Sequence, residues 1–215
     1  MEIKIDYYER DFYKFLDKID FKNKMVLDVG CGGGDKTANL VERGGIVTGC
    51  DVADVRKKEN NDKFNFKIIE KDKFSFPDNS FDIVINFDVI EHVEDDLKFV
   101  NEMHRVLKPG GVAYVTTPNL VRFGRRVRAL VTGKAPEFPL LLGADDVLGD
   151  CIHLREYTKD TLGSLFDSSL FNGAQVLYFW LGLYHPLTVR YRIMYPPKIL
   201  DAFSQTLIVI ARKHT

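Results

Sequence analysis

The chain has 215 residues, 45% of them hydrophobic, which suits one domain with a substantial core and excludes a disordered chain. The 30 Lys and Arg nearly cancel 31 Asp and Glu, and a net charge of −1 excludes a general electrostatic attraction for nucleic acid. Cys31, Cys50 and Cys151 neither pair off nor show metal-ligand spacing. No run of about 18 apolar residues suggests a membrane span, and the charged start MEIKIDYYERDFYKF is no signal peptide, so a reduced cytoplasmic protein is expected.

Tyr8, Phe12, Phe15, Leu16 and Ile19 recur at helical spacing over residues 6–20. Residues 24–29 read as a buried strand running into glycines. A helix is expected over 35–43, with Asp35 near its start and Gly44-Gly45 after its end. Strands follow at 46–50, 66–70 and 81–86, then an amphipathic helix at 94–107 that Lys108-Pro109-Gly110-Gly111 closes, then a strand at 112–117. Strands alternating with helices imply a parallel sheet wrapped on both faces. The pattern breaks over 119–152, which holds Arg122, Arg125, Arg126, Arg128 and the apolar run 138–142. A helix at 158–168 and strands near 174–180 and 205–212 complete the chain, the last two separated by an insertion containing Pro and Tyr.

The sharpest local signal is the strand–turn–helix VLDVGCGGG, residues 26–34. Glycines permit positive φ and let a ligand lie against bare backbone, and ligands in open α/β sheets sit at the carboxyl ends of strands. A dinucleotide GxGxxG turn would need glycine at position 35, where the chain has Asp35. An acid there suits a pyrophosphate poorly, because a helix start favours anions. Asp51 ends the second strand, where a carboxylate can take both hydroxyls of a ribose, a device compatible with either nicotinamide or sulfonium cofactors.

VLDVGCGGG resembles the first motif of class I S-adenosylmethionine-dependent methyltransferases. The segment FPDNSFDIVINFDVIEHVEDDLKFVNEMHRVLKPGGVAYVTTPN is similar to the fourth-to-fifth-strand region of the type 11 group, which includes ubiquinone-pathway methyltransferases. The likeness runs through about residues 24–119. His153-Leu154-Arg155-Glu156-Tyr157-Thr158 and the closing TLIVIARK are similar to late segments of the same group.

The resemblance implies an α/β, Rossmann-like, seven-stranded, mostly parallel sheet with an antiparallel last strand, helices on both faces and a small cap from insertions. It implies one methyltransferase domain over 1–215: an N-terminal helix in 1–23, a cofactor-binding core in 24–118, and cap or acceptor insertions at 119–152 and 181–204. S-adenosyl-L-methionine would be the cofactor and S-adenosylhomocysteine the product. Asp28 with the backbone of Gly30, Cys31 and Gly32 would hold the methionine end, Asp51 the ribose and Val52 the adenine face. Glu70, or Asp72 if the loop is shorter, would face the adenine amino group. Asn86 would offer backbone contacts near the methionine amino group, and Tyr7, Tyr8 or Tyr13 would close the site.

Methyl transfer from a sulfonium needs alignment and exclusion of water more than chemical assistance. A general base matters only when the acceptor loses its proton late, and His92 and Asp88 are the candidates. No metal is required; an alternative reading gives Asp88, Glu91, His92 and His153 to a divalent ion, as some relatives use a similar E-x-x-E-H arrangement.

Acceptor identity in such folds sits in the insertions. Four arginines beside a Leu-rich knot point to an anionic or amphiphilic acceptor or to peripheral membrane contact, set against an ordinary helix with a solvated basic face. Neither insertion interleaves aromatic and basic residues as nucleic-acid platforms do, so a small-molecule, lipid or glycan acceptor ranks above RNA. The 181–204 insertion suits a pocket roof or a homodimer contact. The leading expectation is a methyltransferase acting on an O or N atom of a small or amphiphilic acceptor. The alternatives are a binding or regulatory module without turnover, and a nicotinamide-dependent oxidoreductase.

Overall fold

Strand residues in this chain are apolar on both alternating sets of positions, the pattern of strands covered on both faces. In the computed structural model, which describes residues 7–70, 73–145, 149–179, 181–182, 192–193 and 203–215, they form one seven-stranded sheet. Its strands are β1 (Met25–Val29), β2 (Ile46–Asp51), β3 (Asn65–Ile68), β4 (Phe81–Phe87), β5 (Leu107–Pro118), β8 (Gln175–Phe179) and β11 (Thr206–Arg212). The order is β3-β2-β1-β4-β5-β11-β8, and β11 runs antiparallel to both neighbours. This is the expected fold class, with the antiparallel strand last in the chain and one place in from the sheet edge.

Alternation divides the core in two. Leu27, Val84, Leu207 and Val209 pack with Val100 and Met103 of α3 (Asp96–Val106) and Leu162 and Phe166 of α5 (Lys159–Asp167). Val26, Ile83, Ile85, Phe87 and Ile208 pack with Phe12, Phe15 and Leu16 of α1 (Tyr7–Leu16) and Leu40 of α2 (Asp35–Glu42). Both later helices start where side chains can cap them. Asp95 accepts the Lys98 N–H at 2.9 Å, and Thr158 with Thr161 forms a reciprocal capping box.

The sequence reading misplaces several element ends, including that of α1, which stops at Leu16 rather than residue 20. The third strand ends at Ile68 rather than residue 70. Pro109-Gly110-Gly111 does not separate helix from strand: β5 begins at Leu107, directly after α3, and absorbs the glycines in a register shift against β4 between Phe81 and Ile83. The segment 119–152 is not irregular. It holds α4 (Phe123–Thr132) and the hairpin of β6 (Leu140–Asp145) with β7 (Gly149–His153). Of the second insertion, only β9 (Leu181–Gly182), its partner β10 (Arg192–Ile193) and Phe203–Ser204 are described; its expected role as a pocket roof or dimer contact lies outside the described residues.

Candidate active site at the carboxyl ends of β1, β2 and β4

Register places three strand ends side by side: Val29 of β1 pairs with Cys50 of β2 on one side and Asn86 of β4 on the other. The chain turns at Gly30–Gly34 and enters α2. Gly32 has φ 49°, and a Cβ built there would meet nothing within 4 Å, so bare backbone faces open space. Gly34 has φ 82°, and a Cβ there would come within 2.8 Å of the Phe64 ring. Gly34 thus provides the tight packing that a dinucleotide turn would assign to position 35. That frees position 35 for Asp35, whose carboxylate accepts Asn60 Nδ2 at 2.8 Å and pairs with Lys57. The start of α2 already carries its own anion.

The Asp51 carboxylate leans onto this turn. Its Oδ2 accepts the Gly32 N–H at 2.8 Å, and its Oδ1 accepts the Val52 N–H at 2.7 Å. Each oxygen keeps a second lone pair for a ligand hydroxyl. Val52 beside it is 42% exposed, so its side chain is open to a ligand at the end of β2. Asp28 lies beneath the turn, buried, accepting Thr37 Oγ1 at 2.6 Å. Burial, reinforced by the Asp51 charge, pushes its carboxyl up to about 6 against the opposing Thr37 bond and Lys36 charge. Asn86 donates Nδ2 to Val29 O at 3.0 Å and leaves a buried Oδ1 without a hydrogen-bond partner.

The structure therefore brings Asp28, Gly30, Cys31, Gly32, Asp51, Val52 and Asn86 around one turn. It does not bring Glu70 there by any contact: Glu70 is exposed and bridges Lys73. Asp72 lies outside the described residues, as do the side chains of Tyr7 and Tyr8. The Tyr13 ring stacks under Arg43, 5.6 Å from its guanidinium carbon, which is a packing role on α1. Burial pushes the Cys31 thiol up, away from the thiolate form.

A second cluster follows β4. Asp88 sits in the left-handed region at φ 57°, accepts Thr116 Oγ1 at 3.0 Å and lies 3.8 Å from Lys36 Nζ. Glu91 is buried, with Oε2 accepting Thr117 Oγ1 at 2.9 Å and Oε1 lacking a hydrogen bond. Burial first, and the Asp88 charge second, push it up to about 8. His92 Nδ1 lies 2.8 Å from Ile152 O, and His153 Nδ1 lies 3.0 Å from Glu156 Oε1. A carbonyl and an ionised carboxylate only accept, so both Nδ1 atoms carry hydrogen. Burial, with a smaller push from His153, lowers the His92 pKa against the opposing Ile152 bond and Asp88 charge.

The two imidazoles stand edge to face, 4.8 Å apart, and His153 Nε2 is 3.8 Å from Glu91 Oε1. One ligand atom from each of Glu91, His92 and His153 lies within 4.8 Å of the others. Asp88 is outside that group, so three of the four residues considered for a metal converge.

Sequence reasoning missed the residues that hold these groups in place: Thr37 under Asp28, Thr116 and Thr117 at the end of β5, and Glu156. Glu156 is fully buried and accepts Arg122 at 2.6 and 3.1 Å and Arg125 at 2.6 Å. Burial would raise its pKa, but bonds from His153 and Arg122 and the two guanidinium charges hold it at about 2. Two of the four cap arginines are therefore occupied internally and are not offered to an acceptor.

Residues 27–115 match the family model described as "Methyltransferase domain". The chain is 33% identical to the ubiquinone biosynthesis O-methyltransferase of Bartonella tribocorum over 106 residues, 46% of this chain and 43% of that protein. It is 41% identical to a probable S-adenosylmethionine-dependent methyltransferase of Mycolicibacterium smegmatis over 106 residues, 46% of this chain and 39% of that one. The chain spans about half the length of the curated relatives it matches. A SAM-dependent methyltransferase structure from Archaeoglobus fulgidus superposes with a TM-score of 0.65 at 16% identity, covering 97% of this chain and 95% of that one. Another from Mesorhizobium loti gives 0.59 at 17% identity, covering 94% and 97%. At that identity the likeness is one of fold.

Proposed function

We propose, on the premise that residues 27–115 form a methyltransferase domain of that family, that the protein transfers the methyl group of S-adenosylmethionine to an O or N atom of a small or amphiphilic acceptor. The observation that carries this reading is the open, left-handed Gly32 held against the Asp51 carboxylate at the ends of β1 and β2. Asp51 would take the ribose hydroxyls and Val52 the adenine face. Asp28, Gly30, Cys31, Gly32 and Asn86 would hold the methionine end, with the ionised Asp28 facing a cationic ligand. Glu70 or Asp72 would serve the adenine amino group. Names of O-methyltransferases among the relatives favour a hydroxyl oxygen as acceptor.

The bound cofactor supplies an already activated methyl group; the chain must align the acceptor and remove its proton. His92 fits that second task, because Ile152 O holds Nδ1–H and leaves Nε2 able to accept. Asp88 would act beside it, steadying the charge that His92 gains.

One observation favours a second reading of this end of the site. Buried Glu91 Oε1 has no hydrogen bond and faces two imidazoles, a donor set suited to a divalent cation that would polarise an acceptor hydroxyl.

The test is release of S-adenosylhomocysteine with a panel of phenols, catechols and amines, before and after EDTA treatment. Turnover that survives EDTA and falls by about 10²- to 10⁴-fold in His92→Ala supports the base. Turnover lost to EDTA and restored by a divalent ion supports the metal reading. Cofactor binding with no turnover across the panel would contradict the enzyme and favour a binding module.

A further inference from the structure

We propose that α4 is a docking helix for the surface of an anionic lipid bilayer. The claim stands apart from the methyltransferase reading, because it rests on how this helix is turned.

Helix α4 is amphipathic but faces the wrong way for a globular protein. Phe123, Val127, Leu130 and Val131 fall at spacings of four, seven and eight residues, one face of a helix. A surface helix ordinarily turns that face inward. Here none of its residues is buried, and Leu130 and Val131 are 85% and 80% exposed. The face that turns inward is polar: Arg125 reaches the buried Glu156, together with Arg122 just before the helix. The ion pairs with Glu156 thus fix the rotation of the helix and hold Val127, Leu130 and Val131 outward, while Phe123 rests against the Phe203 ring. The strand that follows adds Leu141 and Leu142, 61% and 53% exposed.

Charge identifies the occupant. Residues 119–136 contain five cationic side chains and no acidic one, in a chain whose net charge is −1. With Arg122 and Arg125 engaged by Glu156, Arg126, Arg128 and Lys134 remain for an outside partner. At 100° per residue, Arg126 and Arg128 project on opposite flanks of the apolar arc. Arg126 is braced by Val121 O at 2.7 Å and by the Phe203 ring. Arg128 and Lys134 line a groove of about 540 Å³, in which Glu137 is the one acid. Aliphatic side chains bordered by arginines match the acyl–headgroup boundary of an anionic leaflet, with the groove placed to take a phosphate-bearing headgroup. A second copy of the chain would bring the same cations against themselves. The docked face is also two hydrogen-bonded steps, Arg125–Glu156 and Glu156–His153, from the acceptor end of the site.

The experiment is co-sedimentation of the full chain with phosphatidylcholine vesicles and with vesicles also containing phosphatidylglycerol. Binding is expected on the anionic vesicles, with a loss on the order of tenfold on neutral ones and in Arg128→Glu/Lys134→Glu. Leu130→Ser/Val131→Ser should abolish it, and the thermal unfolding of that variant should match the parent, since both side chains are exposed. No binding by the parent chain overturns the proposal, as does undiminished binding by the double-serine variant. A dimer in gel filtration that the double-serine change dissociates would assign the face to a second copy and also overturn it.

Discussion

Asp51 Oδ2 accepts the backbone N–H of Gly32 at 2.8 Å, tying the end of β2 to the glycine turn that follows β1. The carboxylate is thereby aimed before any ligand arrives, with lone pairs left for two hydroxyls. Asp51→Ala is expected to weaken S-adenosylmethionine binding by about 1.5–3 kcal/mol, typical of hydrogen bonds to a charged group. Calorimetric titration of the folded variant checks this, and unchanged affinity would remove Asp51 from the ribose site.

Gly32→Val should fold less stably and bind no cofactor. The residue must hold φ 49°, which a β-branched side chain resists, and its side chain would enter the open space beside Asp51. A variant shown folded by circular dichroism and binding with parental affinity would contradict the placement.

Asp28 predicts a pH dependence with a definite sign. Its pKa rises on folding from the usual 3.8 to about 6, so its contribution to stability is fully present below 3.8 and is lost as pH climbs through 6. Two units correspond to about 3 kcal/mol. Urea unfolding of the ligand-free protein should therefore show Asp28→Asn gaining on the parent by roughly that amount between about pH 4 and pH 7.5. Cofactor affinity should fall in the same variant, since an anion facing the cationic ligand is gone. Parallel stability profiles for the two proteins would refute the buried-charge account.

Glu156→Gln should destabilise the protein by about 3–5 kcal/mol, because it leaves Arg122 and Arg125 facing a neutral group in a buried position. Denaturant unfolding reads this directly. Faster amide exchange confined first to α4 and β7 would show that Glu156 pins the cap; uniform exchange would argue against it.

The sequence carried the cluster around the glycine turn better than the cap, for physical reasons. A strand, a glycine turn and a helix start are local, so the turn over Gly30–Gly34 was legible from the residues, while Asp28 and Asn86 entered through the resemblance; the register of β1, β2 and β4 sets Asp28, Asp51 and Asn86 around that turn. Thr37 and Thr117 were not, because their partners Asp28 and Glu91 sit on other elements. Periodicity reveals that α4 has an apolar face, but not which way that face points; the orientation depends on Glu156, more than 20 residues downstream of the helix. His153-x-x-Glu156 offered a usable sign, since a buried acid three residues from a histidine is placed to orient its ring. Glu70 stands apart from the glycine turn by every observed contact, because β3 ends at Ile68 and leaves it on an exposed bridge with Lys73.

The most direct test of the central claim is calorimetric titration of the purified chain with S-adenosylmethionine and S-adenosylhomocysteine, with NADH as control. Micromolar binding of both sulfur nucleosides, about tenfold or more weaker in Asp51→Ala, and no binding of NADH is the predicted result. NADH binding, or sulfur-nucleoside binding indifferent to Asp51, would contradict it.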